Sequence, residues 1–85
     1  MAVLLLLYRS RVGDGPKIPL RESYSRANVE GLSSPGQVSI LCGDSTIFTL
    51  DGNGSFNLPS TLEPGTVVVG RLDSEGSCVT LQLEK

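Results

Sequence analysis

The chain has 85 residues and a mass of 9.0 kDa, room for one core and no second domain. A hydrophobic fraction of 39%, a charged fraction of 19% and a net charge of −2 belong to a folding chain and exclude a wholly disordered polymer. Histidine and tryptophan are absent and the aromatics are Tyr8, Tyr24, Phe48 and Phe56, so the usual proton shuttle, imidazole metal ligand and base-stacking platform are missing or scarce.

Residues 3 to 12 open with Val3, Leu4, Leu5, Leu6 and Leu7, then alternate through Tyr8-Arg9-Ser10-Arg11-Val12 into the turn-rich Gly13-Asp14-Gly15-Pro16. Ten residues with no N-cap and a glycine-proline end predict a strand and a turn in preference to a leucine-rich helix. The apolar run falls well short of the roughly 20 residues of a membrane helix. With no basic n-region before it, and Arg9 and Arg11 where a cleavage site would lie, it does not read as a signal peptide.

Residues 17 to 37 are polar and broken by Pro19, Gly31, Pro35 and Gly36, which predicts a long loop or arm. Structureless connections beyond about 12 to 15 residues are uncommon unless something they touch orders them, and a neighbouring chain is the expected contact. Strand signals follow at 37–42, 45–50, 55–58, 66–72 and 78–84. Turns are expected at Gly43-Asp44 and at Asp51-Gly52-Asn53-Gly54, a connection from Pro59 to Gly65, and a hairpin loop from Asp73 to Ser77. Val79, Leu81 and Leu83 alternate with Thr80, Gln82 and Glu84, the pattern of an outer antiparallel strand with one wet face. The expected fold is all-β: a small antiparallel sandwich or barrel of about six strands. It forms a single domain over residues 1–85, with an apolar strand and turn at 1–16, an arm at 17–37 and an antiparallel meander at 38–85.

No motif carries chemistry beyond its turn or surface reading. Gly13-Asp14-Gly15 and Gly52-Asn53-Gly54 lack the continuation that aims backbone amides at a phosphate. Asp51, Asn53 and Ser55 have the oxygen spacing of a calcium loop, but its sixth-position glycine is missing and Leu62 takes the place of the last ligand. Asn53-Gly54-Ser55 fits a glycosylation acceptor, which matters only in a secreted protein. Cys42 and Cys78 are too few for a zinc site and are expected to be buried thiols rather than a disulfide. The serines have no histidine to activate them, Lys17 sits in a polar loop, and Asp44, Asp51, Glu63, Asp73 and Glu75 read as solvated turn residues. No catalytic residue, cofactor or metal is therefore expected.

Charge is unevenly placed. Residues 1–26 carry Arg9, Arg11, Lys17, Arg21 and Arg26 against Asp14 and Glu22, a net of +3, and the remainder nets −5. Opposite signs at opposite ends can steer copies head to tail. The basic stretch, with Tyr8 and Tyr24 interleaved, also raises nucleic-acid binding, but two tyrosines and a negative total are a thin basis for it.

The informative feature is the leucine run. On a sheet with one wet face, either Leu4 and Leu6 or Leu5 and Leu7 stand in water, each forgoing about 1.5 to 3 kcal/mol of burial. A second subunit is the expected cover, with Leu4, Leu5, Leu6, Leu7, Tyr8, Arg9, Arg11, Arg21, Tyr24 and Arg26 as the interface. Tyr8-Arg9-Ser10-Arg11-Val12-Gly13-Asp14-Gly15-Pro16 with Pro19-Leu20-Arg21 resembles the opening of small bacteriophage proteins encoded among virion structural genes. The resemblance covers about a quarter of the chain and carries over no site residue. It implies a β-rich piece that decorates, cements or joins parts of a particle. The function expected is thus a non-enzymatic virion decoration, cement or connector subunit, homo-oligomeric and in contact with other structural proteins, without nucleic acid or membrane partners. The alternative is a small cytoplasmic β-barrel that binds nucleic acid or a cytosolic protein.

Overall fold

Two antiparallel sheets enclose one core in the computed structural model, which describes residues 3–9, 11–33, 36–73 and 78–85, Arg9 through its backbone alone. Nine strands form among the described residues: β1 (Val3–Arg9), β2 (Gly13–Asp14), β3 (Ile18–Pro19), β4 (Tyr24–Glu30), β5 (Val38–Cys42), β6 (Ser45–Leu50), β7 (Gly54–Leu62), β8 (Val67–Leu72) and β9 (Val79–Glu84). The first sheet runs β1-β9-β4-β7; the second runs β2-β8-β5-β6, with β3 also paired to β8. Alternation sends one face of each strand inward. Ala27, Val29, Leu81 and Leu83 from the first sheet meet Val38, Ile40, Val68 and Leu72 from the second.

The all-β architecture follows the sequence, but three expectations need correction. Residues 17–37 are not an arm, because β4 lies inside the first sheet with β9 on one side and β7 on the other. The turns mostly do not close hairpins. Gly43-Asp44 does, joining β5 to β6, whereas Asp51 to Asn53 carries the chain from the second sheet to the first. The Asp73–Ser77 segment links β8 and β9, which also belong to different sheets, and its residues 74–77 lie outside the described residues. The strand β9 is likewise interior rather than outer, paired on both edges while keeping its alternating burial.

The leucine run departs from alternation for a visible reason. The register of β1 against β9 shifts between Leu5 and Leu7, so Leu6 is an extra residue and both Leu6 and Leu7 turn inward, each 1% exposed. Room for them comes from the opposite sheet. At Gly70 on β8 a Cβ would stand 3.0 Å from the Leu7 Cβ and 3.2 Å from a Leu81 methyl, so the missing side chain there is what admits the bulge. Leu4 also packs on the core, half-buried. The expected pair of exposed leucines is thereby reduced to Leu5.

Polar side chains tie the loops. Asn53 accepts from the Leu32 N–H at 2.8 Å and donates to the Leu32 carbonyl at 2.9 Å, which fastens the β6–β7 crossing to the segment after β4. Asn53→Ala removes both bonds and leaves two backbone groups of a buried residue unpaired, so denaturant midpoints should report a loss of about 1 to 3 kcal/mol. On the outer face of the second sheet, the Ser39 hydroxyl donates to Asp73 at 3.1 Å.

Candidate interaction surface

The strand β1 has β9 on one edge and no strand on the other. Val3, Leu5 and Tyr8 stand opposite Glu84, Gln82 and Thr80, the outward positions of β9, and so line the outer face of the sheet at its margin. They are 46%, 45% and 68% exposed, and Val12 just beyond is 53% exposed. Among the described residues the large exposed hydrophobics are these four and Val67, so four of five fall within residues 3 to 12. Such a concentration is uncommon on a chain this small and marks a contact surface more often than chance.

The structure sorts the predicted interface residues. Leu5 and Tyr8 are exposed at the margin of β1, and Arg11 and Arg21 are exposed in the segments that follow. The backbone of Arg9 pairs with Val79. Leu6 and Leu7 belong to the core because of the bulge, and Leu4 is half withdrawn into it. Tyr24 is buried too, since it begins a strand that has neighbours on both sides, and Arg26 is half-buried on that strand between Glu84 and Asn57. Those five corrections shrink the surface to β1's outward face and the exposed arginines beyond it.

The cysteines are free thiols, as expected, but not buried ones: Cys42 at the end of β5 is half-buried and Cys78 before β9 is exposed. The Tyr8 phenol is held above its ordinary value of 10.0 by a side-chain hydrogen bond with Cys78, reinforced by the charge the thiol can carry and by slight desolvation. A raised phenol keeps its proton longer in the folded state, so any stabilisation it gives is complete below pH of about 10 and fades as the pH climbs through the higher folded value. In a Tyr24→Phe background, absorbance titration should place Tyr8 above 10, and Cys78→Ala should bring it back.

A second concavity, of about 510 Å³, lies on the outer face of the second sheet. Leu41 and Val69 form its floor, buried yet outside the main core cluster, and Asp14, Lys17, Asp44 and Arg71 form its rim. The Arg71 guanidinium donates to both oxygens of Asp14, at 2.5 and 3.3 Å, across the paired strands β2 and β8. That carboxylate raises the Arg71 pKa further by hydrogen bond and charge. Two carboxylates and two cations on one rim offer a ligand no field of a single sign. Both partners of the ion pair are nearly half exposed and screened by solvent, so Asp14→Asn should leave the midpoint of a urea titration almost unmoved.

A third feature is an opening of about 140 Å³ between the margins of the two sheets. Two irregularities make it. Ile47 is an extra residue of β6 where Ile40 pairs with Phe48 and Leu41 with Thr46, which turns Ile47 and Phe48 together toward the core. On the facing margin, β7 leaves the ladder of β4 between Asn57 and Leu62, around Pro59, a residue that an unpaired strand edge tolerates. Ile47, Phe48, Leu58 and Leu62 line the gap left between them.

No protein-family model matches this sequence, and no curated protein matches it. Among the described residues no group of three or more cysteines, aspartates and glutamates could hold a metal ion, and no helix is long and apolar enough to cross a membrane. Of the carboxylates noted in the turns, Asp44 borders the larger groove, Asp73 is engaged by Ser39, and Glu75 lies outside the described residues.

Proposed function

We propose that this protein is a non-enzymatic assembly module that works by adhering through the outward face of β1. The observation that supports this reading is the gathering of exposed Val3, Leu5, Tyr8 and Val12 along one margin of the molecule. Burying such side chains against a partner recovers about 25 cal/mol for each Å² of apolar area removed from water. The exposed Arg11 just beyond that margin adds orientation rather than affinity. The resemblance of residues 8–21 to the opening of small bacteriophage virion proteins supports a role for the module as a decoration, cement or connector subunit of a virus particle, with itself and other structural proteins as partners.

The nucleic-acid reading loses support, because burial of Tyr24 leaves Tyr8 as the one exposed tyrosine for stacking. Sedimentation or light scattering at micromolar concentration tests the assembly reading. The native chain should run above 9.0 kDa, and Leu5→Asp should reduce it to a monomer that melts as a folded domain. A native chain that runs only at the monomer mass overturns the reading.

A further inference from the structure

We infer that the opening between β6 and β7 receives the β1 side chains of a second copy of this chain, so that copies join head to tail. The inference rests on the reading of β1 as a subunit contact and names the surface that β1 meets.

Size and chemistry agree. The opening measures about 140 Å³ and is walled by Ile47, Phe48, Leu58 and Leu62, close to the apolar cavity of about 150 Å³ that accepts a benzene-sized guest. One aliphatic or aromatic side chain fills such a space. Leu5 is the exposed leucine of β1, flanked on the same face by Val3 and Tyr8.

Charge agrees as well. The strands β6 and β7 carry no charged residue, and exposed carboxylates stand at their ends: Asp44 before β6, Asp51 after it and Glu63 after β7. No lysine or arginine occurs from residue 27 to residue 70. Arg11 stands exposed just beyond β1, whereas Lys17 shares the rim of the larger groove with Asp44, which leaves Asp51 and Glu63 as the carboxylates beside the opening that Arg11 can face. A basic margin bearing apolar side chains and an acidic margin bearing an apolar opening are complementary in both respects.

Self-pairing of β1 about a two-fold axis fits less well. It brings two basic margins together, and the free edge of β1 is obstructed at its middle. Gly15 approaches so closely that a Cβ there would lie 3.0 Å from the Leu6 carbonyl oxygen. A second strand cannot run unbroken along that edge, whereas outward side chains remain free to insert elsewhere. A contact between unlike surfaces is heterologous, and it closes into a ring or continues as a filament.

The test uses full-length variants and their mass in solution. Leu58→Asp places a charge in the wall of the opening, and Ser60→Arg on its exposed rim blocks the mouth without touching the core. Each should weaken self-association at least about tenfold, the effect of losing a central contact. Mixed in equal amounts, Leu5→Asp and Ser60→Arg should form a dimer of the two variants and nothing larger, since one retains an opening and the other retains a β1 face. If Leu58→Asp fails to fold, Ser60→Arg and the mixture carry the test. A native chain that assembles while Ser60→Arg assembles equally well overturns the inference and leaves β1 as a contact. A native chain that stays monomeric removes both.

Discussion

Truncating Leu7 to alanine should lower the stability of the folded chain by about 2 to 5 kcal/mol, while Leu5→Ala two positions earlier should cost no more than about 1 kcal/mol. Leu7 is fully buried against Leu81 and faces Gly70, so its removal leaves a hole that two opposed sheets cannot close; Leu5 points into solvent. A chain of 85 residues has roughly 4 to 13 kcal/mol to lose, so the first change consumes a large part of it. Guanidinium midpoints at a concentration low enough to keep the chain monomeric measure both. Gly70→Ala should also destabilise, by about 1 to 3 kcal/mol, because its methyl would meet the Leu7 Cβ at 3.0 Å and a Leu81 methyl at 3.2 Å, and the Leu7→Ala background should not relieve this, since alanine keeps that Cβ. Equal losses at Leu5 and Leu7 would show that the bulge is not where the register places it.

Gly31→Ala should be as severe for a different reason. Gly31 follows β4 with φ +81°, a left-handed conformation that costs an alanine about 1 to 2 kcal/mol by itself. A Cβ there would also lie 2.2 Å from the Cys78 backbone carbonyl oxygen, a separation no pair of atoms sustains, so β4 and β9 must shift apart where they begin to pair. Gly43→Ala is the matched control: its φ of +64° imposes the same conformational cost in open space. The expected result is a loss of at least about 2 kcal/mol at Gly31, roughly 10 °C or more in Tm for a domain of this size, and a clearly smaller loss at Gly43. Equal shifts at the two positions would mean that residues 31 and 78 do not approach as described.

What could be read from the sequence was local. Runs of β-branched and aliphatic residues bounded by glycine, proline and aspartate located β1, β5, β6, β8 and β9 to within a few residues, because such side chains pack well on a half-buried pleated surface. The strand β4 escaped because Tyr24-Ser25-Arg26-Ala27-Asn28-Val29-Glu30 buries a small alanine where a large aliphatic would have signalled a strand. Its extended form is imposed by β9 and β7 on either side. Turn residues told where the chain bends but not which sheet it enters next, since Gly43-Asp44 and Asp51-Gly52-Asn53 are alike in composition and only the first closes a hairpin. The bulge at Leu6 has no signal within residues 3–9 at all. It depends on the missing side chain of Gly70, more than sixty positions away, and this is why the leucine run promised more exposed surface than the fold leaves. The candidate surface was legible in position and overstated in extent. The opening between β6 and β7 was illegible, being the product of two ladder irregularities that meet only after the sheets have formed.

Pairing of β1 with β9 sets Val3 beside Glu84, almost the whole chain apart. Until β9 inserts between them, neither β1 nor the inner edge of β4 has a ladder, and the leucine run waits uncovered. Folding is therefore dominated by distant pairings, on the millisecond-to-second scale of such topologies, and the chain is most prone to clump during that wait.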